Sequence, residues 1–486
     1  MMLRCFAILV LALLPACASP SRPPNVVLFF ADDLGYGDLS CYGSPTNATP
    51  HIDSLARDGL RFTHFYVAQP VCSASRAALL TGCYPNRVGI AGALGPRAKI
   101  GLNPDETTLA DVLKSRGYAT AIFGKWHLGD APNLLPNAHG FDEYFGFPYS
   151  NDMWPRHPQN PRAYQNLQLL HQKNGILTVI DDDVFPDDQK PVTREITRRS
   201  VEFIDSNADA PFFLYVPYPM PHVPLYVSPE FDSKTGRGMY ADVLSEIDWS
   251  VGQVLATLER HNLDDDTIVI FASDNGPWLS YGNHAGTTGG LREGKGTTWE
   301  GGVRVPCLIR APGRVAAGTH FHRPCMTIDI LPTIAAMVNA ERPSNTIDGV
   351  DLSPWLTSAS ATRAKAPASD PHEALFFYYN ANELQAVRSG DWKLYLPHSY
   401  ASLEPGKGGL DGIPAKYTTK PCAQELYNLA NDPAETTDVA AQHPETVAKL
   451  LQLAERARAD LGDKLTKRPG TGVRPAGQAL WPQAPN

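Results

Sequence analysis

Pro24-Asn25-Val26-Val27-Leu28-Phe29-Phe30-Ala31 runs directly into Asp32-Asp33-Leu34-Gly35. An unbroken apolar run of this length suits a strand buried on both faces of a parallel sheet, with two carboxylates at its C-terminal edge. Open α/β sheets hold their ligands at that edge. Asp33 capping a turn through Gly35 is the plainer reading; paired aspartates after a buried strand more often form a hard-cation site. The same device recurs downstream. Thr267-Ile268-Val269-Ile270-Phe271-Ala272 is a second buried run, ending in Ser273-Asp274-Asn275-Gly276. Two such strands, distant in sequence and each delivering two oxygen ligands, make the cation reading far stronger than either alone.

Two further strands lie between them. Residues 119–123 run into Gly124-Lys125-Trp126-His127, and residues 211–216 end at Pro219-Met220-Pro221-His222-Val223-Pro224, whose prolines stiffen the turn around His222. An isolated lysine and histidine pair is usually a snorkelling lysine beside a structural histidine. Repetition of strand, then polar residues, at one sheet edge favours the functional reading. Helical patterns cover residues 51–60, 107–116, 193–206, 241–261 and 328–338. The fourth carries Val243, Leu244, Ile247, Val251, Val254, Leu255 and Leu258 on one face. Residues 289–302 form a glycine-rich loop with Arg292, Lys295 and Glu300. Lys295 sits between Gly294 and Gly296, where the backbone can approach a bound anion closely.

The remaining segments set the domain plan. Residues 1–19 combine a basic start, a short apolar run and small residues, the pattern of a signal peptide, and Leu14-Pro15-Ala16-Cys17 resembles a lipobox with Cys17 lipidated. Export is therefore expected, to the periplasm or beyond, with or without a lipid tether. Residues 24–342 make the large catalytic domain and 343–371 a linker rich in Ala, Ser and Pro. Within the large domain, residues 151–191 read as a polar, irregular insertion over the active face, suited to substrate specificity, with Asp181 to Asp183 a solvated loop. Residues 372–464 read as a small α+β domain: strand-like runs at 374–379, 383–388, 392–395 and 424–429, then an amphipathic helix at 444–461. Residues 465–486 are a proline- and glycine-rich tail that wraps the surface or is mobile.

Composition narrows the function. The chain has 486 residues, 43% hydrophobic and 19% charged, with a formal net charge of -9, which speaks against a general nucleic-acid binder. An anionic substrate must then be drawn by a local basic pocket. The eight cysteines include no CxxC pair, so neither a zinc site nor a thiol redox motif is indicated, and sequence does not pair them into disulfides.

One cysteine stands apart. Cys72-Ser73-Ala74-Ser75-Arg76-Ala77-Ala78-Leu79-Leu80-Thr81-Gly82 reads as a helix with its N-terminus at Cys72 and its stop at Gly82, putting the thiol at the positive end of the helix dipole. For a lone cysteine the ordinary reading is a buried core residue. Here the run resembles the signature of the type I sulfatases, Cys-x-Pro/Ala-x-Arg followed by Leu-Thr-Gly, with Ala74 where proline is commonest. Across nearly the whole mature chain the motifs look like that family, of the arylsulfatase A-like and N-acetylgalactosamine-6-sulfatase-like kind.

The resemblance implies an alkaline-phosphatase-like α/β sandwich, a large mixed sheet flanked by helices, plus the small C-terminal domain with its antiparallel sheet. It implies that a maturase oxidises Cys72 to formylglycine, the nucleophile once hydrated, and that Asp32, Asp33, Asp274 and Asn275 hold calcium, which Cys72 also reaches. Arg76 would anchor the formylglycine, and Lys125, His222 and Lys295 would bind sulfate and serve the leaving group. His127 would hold a formylglycine hydroxyl, with Ser150 a supporting polar residue. The expected activity is hydrolysis of sulfate esters, of a sulfated sugar or polysaccharide by family habit. The alternatives are a phosphate or phosphonate ester hydrolase of the same superfold and, if Cys72 stays unconverted, a non-catalytic lipoprotein binding sulfated glycans. Oxygen-rich Asp and Asn ligands, without a multi-histidine zinc set, favour the sulfatase.

Overall fold

The opening run is a strand, β1 (Asn25–Ala31), with every residue buried. The computed structural model describes residues 22–356, 367 and 369–482; the signal segment with Cys17, residues 357–366 and 368 of the linker, and residues 483–486 lie outside the described residues. In chain order the large sheet then takes β2 (Leu60–Phe62), β3 (Ala119–Phe123), β4 (Glu143–Gly146), β5 (Leu169–Lys173), β6 (Ile176–Asp181), β7 (Phe212–Pro217), β8 (Thr267–Ser273), β9 (Cys307–Arg310) and β10 (Thr319–Phe321). Across the sheet the order is β10-β2-β9-β8-β1-β7-β3-β4-β5-β6. The central run β8-β1-β7-β3-β4 is parallel throughout. Its strands are apolar without alternation because both faces are covered.

Successive β1 side chains enter two different cores. Val26, Leu28 and Phe30 pack with Ala77 to Leu80 of the helix Cys72–Thr81. Val27 and Phe29 pack with Ile196 and Ile247, from the helices Val192–Asn207 and Met239–Arg260 on the other face. This is the expected α/β sandwich, with the helix carrying Cys72 wholly buried on one side of it.

Residues 151–191 are less irregular than expected. β5 and β6 form a hairpin around Gly175 that pairs antiparallel with β4 and extends the sheet. β6 lies at the sheet's edge with five of its six residues exposed, so its apolar side chains have no core to reveal the strand by pattern. Asp183 meets Arg156 at 3.4 Å on the surface, in keeping with a solvated loop.

The C-terminal region has β11 (Leu375–Tyr379), β12 (Glu383–Ser389), β13 (Trp392–Tyr395), β14 (His398–Ser402), β15 (Thr418–Cys422) and β16 (Glu425–Asn428). Strands β11-β12-β13-β16 form an antiparallel sheet backed by the helix Pro444–Leu461; β14 and β15 form a separate hairpin absent from the sequence reading. The tail wraps back on the large domain, pairing Gly477–Gln478 with Ile100–Gly101. Buried charges lock the two regions together. Lys393 lies 2.9 Å from Glu300 and 3.2 Å from Glu435, all three fully buried, and His372 Nε2 lies 2.7 Å from Asp329. All six described cysteines are free. No helix among the described residues is long and apolar enough to cross a membrane.

Candidate active site

Each strand of the parallel run ends at one place. β1 delivers Asp32 and Asp33, β3 leads to Lys125 and His127, β4 to Ser150, β7 to His222 and β8 to Asp274 and Asn275. Close backbone packing makes this convergence possible. Gly124, at φ +140, lies so near β7 that a Cβ there would sit 2.0 Å from the Pro217 carbonyl oxygen. Asp33 (φ 64) and His127 (φ 62) occupy the left-handed region without being glycine, strain of a kind that concentrates at functional sites.

Cys72 opens the buried helix at the centre, and its Sγ lies 3.7 Å from Asp32 Oδ1 and 3.5 Å from Lys295 Nζ. Arg76, one turn on, donates to Asp32 Oδ2 (3.1 Å) and Asp274 Oδ2 (2.9 Å). Lys125 Nζ contacts Asp32 Oδ2 and donates to Ser150 Oγ at 3.0 Å, which places the supporting serine on the lysine. Lys295 reaches in from the glycine-rich loop to Asp33 Oδ1 at 2.7 Å. Three carboxylates thus face three permanent cations in a buried space.

The electrostatics follow from that crowding. Burial opposes charge on Asp32, yet Lys125 above all, with Arg76 and Lys295, holds its carboxyl below the usual range. Asp274 is pushed up to about 7, by burial first and then by the charge of Asp32. Burial also pushes the Cys72 thiol up to about 12, against the pull of Lys125 and Lys295. His222 falls to about 4 through burial and then Lys295, and His127 falls well below its ordinary value through burial, Lys125 and Arg76. Both imidazoles are neutral near pH 7.

Their tautomers are set by backbone carbonyls. His127 Nε2 pairs with the Leu94 carbonyl at 2.8 Å, and the Leu94 amide donates to Ser73 Oγ at 3.0 Å. The ring's Nδ1 is buried without a partner and is left as an acceptor. His222 Nδ1 pairs with the Val223 carbonyl at 2.6 Å, leaving Nε2 facing Asp33 Oδ2 at 3.7 Å.

Ligand atoms of Asp32, Asp33, Cys72 and His222 lie within 4.8 Å of one another. Beside them Asn275 Oδ1 is buried without a hydrogen-bond partner. Crowded carboxylates, one of them driven toward protonation, and an orphaned amide oxygen are a donor set that fits a hard divalent cation.

A cavity of about 520 Å³ opens over Cys72, His127, His222 and Lys295. Ser150 and Asp152 line it from the large domain, and Tyr379, Tyr400 and Tyr417 from the C-terminal region. Of the site residues expected from sequence, Cys72, His127, Ser150, His222 and Lys295 line this cavity. The sequence reading missed Asp152, although Ser150 two positions earlier and the specificity reading of residues 151–191 pointed near it. It also missed Trp278 and the tyrosines, which no local pattern marks.

The chain matches the family model described as Sulfatase over residues 24–340, and the one described as C-terminal region of aryl-sulfatase over residues 370–481. It is 38% identical to arylsulfatase A of Homo sapiens, over 96% of this chain and 94% of that protein. N-acetylgalactosamine-6-sulfatase of Canis lupus familiaris is 35% identical, over 89% of this chain and 84% of that one. The solved structure of the PsFucS1 sulfatase from Pseudoalteromonas sp. matches with a TM-score of 0.80 at 27% identity, covering 93% of this chain and 92% of the other.

Proposed function

Given that the chain belongs to the sulfatase family and is a sulfuric ester hydrolase, we propose that Cys72 acts after conversion to formylglycine, beside a calcium ion held by Asp32, Asp33, Asp274 and Asn275. The observation that carries this reading is the convergence of five strand ends on a thiol held protonated. With burial holding its thiol well above the ordinary value, Cys72 is a poor nucleophile as it stands. The aldehyde hydrate supplies an oxygen nucleophile and a second hydroxyl whose deprotonation releases sulfate, and calcium supplies fixed positive charge beside them.

The chain's own residues do the rest. With both histidines neutral, the three carboxylates and three cations nearly cancel, so a divalent ion turns the site net positive, the sign a sulfate monoester requires. Lys125 and Arg76 hold Asp32 ionised and in place. Lys295, held well above its ordinary value by Asp33 despite burial, is the protonated donor at the reacting centre and can protonate the departing oxygen. His127 Nδ1, with its lone pair free, can take the proton from the second hydroxyl.

A sulfated sugar or polysaccharide is the natural ester in this reading, supported by the aromatic cavity wall and by a relative named for N-acetylgalactosamine. Cys72 is 2% exposed in the folded chain, so a maturase must reach it before the chain closes, and residues 1–19 assign the product to an exported pool. The test is peptide mass spectrometry across residues 71–82 of protein from its native host, paired with calcium chelation. Conversion of cysteine to formylglycine, and hydrolysis lost to chelator and restored by calcium alone, are the expected results. Unmodified cysteine in fully active enzyme would sink the proposal.

A further inference from the structure

Asp152 is the cavity's unexplained group. It lies in the turn after Ser150, where Met153 N donates to the Ser150 carbonyl at 3.0 Å and Trp154 N to the Asp152 carbonyl at 2.9 Å. The neighbouring Asn151 side chain points into the insertion and donates to Gln189 Oε1 at 2.9 Å, whereas Asp152 lines the cavity. Asp152 is 7% exposed, and its Oδ1 is buried without a hydrogen-bond partner. Histidines aside, the cavity's other charged lining residue is Lys295, already engaged by Asp33. A carboxylate oxygen withdrawn from water and given nothing to accept is costly, and a ligand donor recovers that cost with a charge-assisted bond.

We propose that Asp152 accepts a hydrogen bond from a free hydroxyl of the substrate, so that the cavity selects sulfated sugars over esters with no hydroxyl to offer. The inference rests on sulfate-ester hydrolysis at Cys72 and adds the identity of the group recognised beside it. Trp278, Tyr400 and Tyr417 supply flat apolar faces on the same cavity, suited to the C–H face of a sugar ring whose hydroxyl edge meets the carboxylate. The negative charge of Asp152 also disfavours a second sulfate or a carboxylate at its position. The sugar unit that fits therefore carries one reacting sulfate and an uncharged hydroxyl there.

A substrate cycle tests this directly. Wild type, Asp152→Asn and Asp152→Ala would be assayed on monosaccharide 6-sulfates of glucose, galactose and N-acetylgalactosamine, on their singly deoxygenated analogues, and on 4-nitrophenyl sulfate. For the accepted sugar, wild type should lose about 10- to 100-fold in kcat/KM when one particular hydroxyl is removed, mainly through KM. Asp152→Ala should lose a similar factor on the parent sugar and no longer distinguish it from that deoxy analogue. The loss on 4-nitrophenyl sulfate should be at least tenfold smaller, and the melting temperature should not fall. Equal losses on sugar and aryl ester, additive losses in the cycle, or a lowered melting temperature would each overturn the assignment. Wild type that hydrolyses no sulfate ester would instead refute the reading at Cys72.

Discussion

At Cys72 burial opposes the thiolate against the pull of two ammonium groups, in a buried space where a guanidinium one turn along the helix and three carboxylates also converge. Replacing the side chain by a methyl group removes one small buried atom, so Cys72→Ala should melt within a few degrees of wild type while kcat falls at least about 10⁴-fold. Full turnover by the purified variant would show that the nucleophile lies elsewhere. Most residues of this centre could be read from sequence because they come just after buried strands, whose ends share an edge in a parallel sheet, while Cys72 and Arg76 were marked by the run they open and Lys295 by its flanking glycines. Asp152, Trp278 and Tyr400 could not. What makes them a site is the meeting of segments far apart in the chain, and nothing local marks an aspartate or tyrosine that will face a cavity.

Among the elements, β1, β3, β7 and β8 were legible because burial on both faces writes an uninterrupted apolar run. The helix at Cys72–Thr81 carried its own stop, Gly82 at φ 69. The β5–β6 hairpin was not legible, since an exposed edge strand answers to solvent and not to a core. The β14–β15 hairpin was missed because 15 residues separate its strands, from Leu403 to Tyr417, too many for a turn signal. How tightly the central strands pack gives a prediction. A Cβ on Gly124 would meet the Pro217 carbonyl oxygen at 2.0 Å, and the Lys125 amide bonds that same oxygen at 2.7 Å. Gly124→Ala must separate β3 from β7, so it should cost about 1–3 kcal/mol or more and lower kcat/KM at least tenfold per folded molecule. Calorimetry and active-site titration of the folded fraction would check it; wild-type kinetics with an unchanged melting temperature would contradict the packing argument.

At the scale of the whole molecule, the C-terminal region is fastened by buried ionic contacts, and one of them should be visible in the pH dependence of stability. Burial works against charge on His372, but the Asp329 carboxylate at 2.7 Å outweighs it, and the imidazole's pKa is raised. A raised folded value contributes stability that is fully present below the unfolded value of about 6.5 and is lost as pH rises through the folded one. The melting-temperature gap between wild type and His372→Gln should accordingly be wider at pH 5.5 than at pH 8.5. A gap that is constant, or that grows with pH, would mean the contact acts through packing alone. The same junction places Tyr400 of β14 over a floor built by residues of the large domain. Part of the recognition surface consequently comes from a stretch of chain that contributes nothing to the reacting centre. Drift or deliberate replacement in the hairpin can retune which molecule is admitted while the reacting atoms stay untouched, so one chemistry can be passed on to new diets.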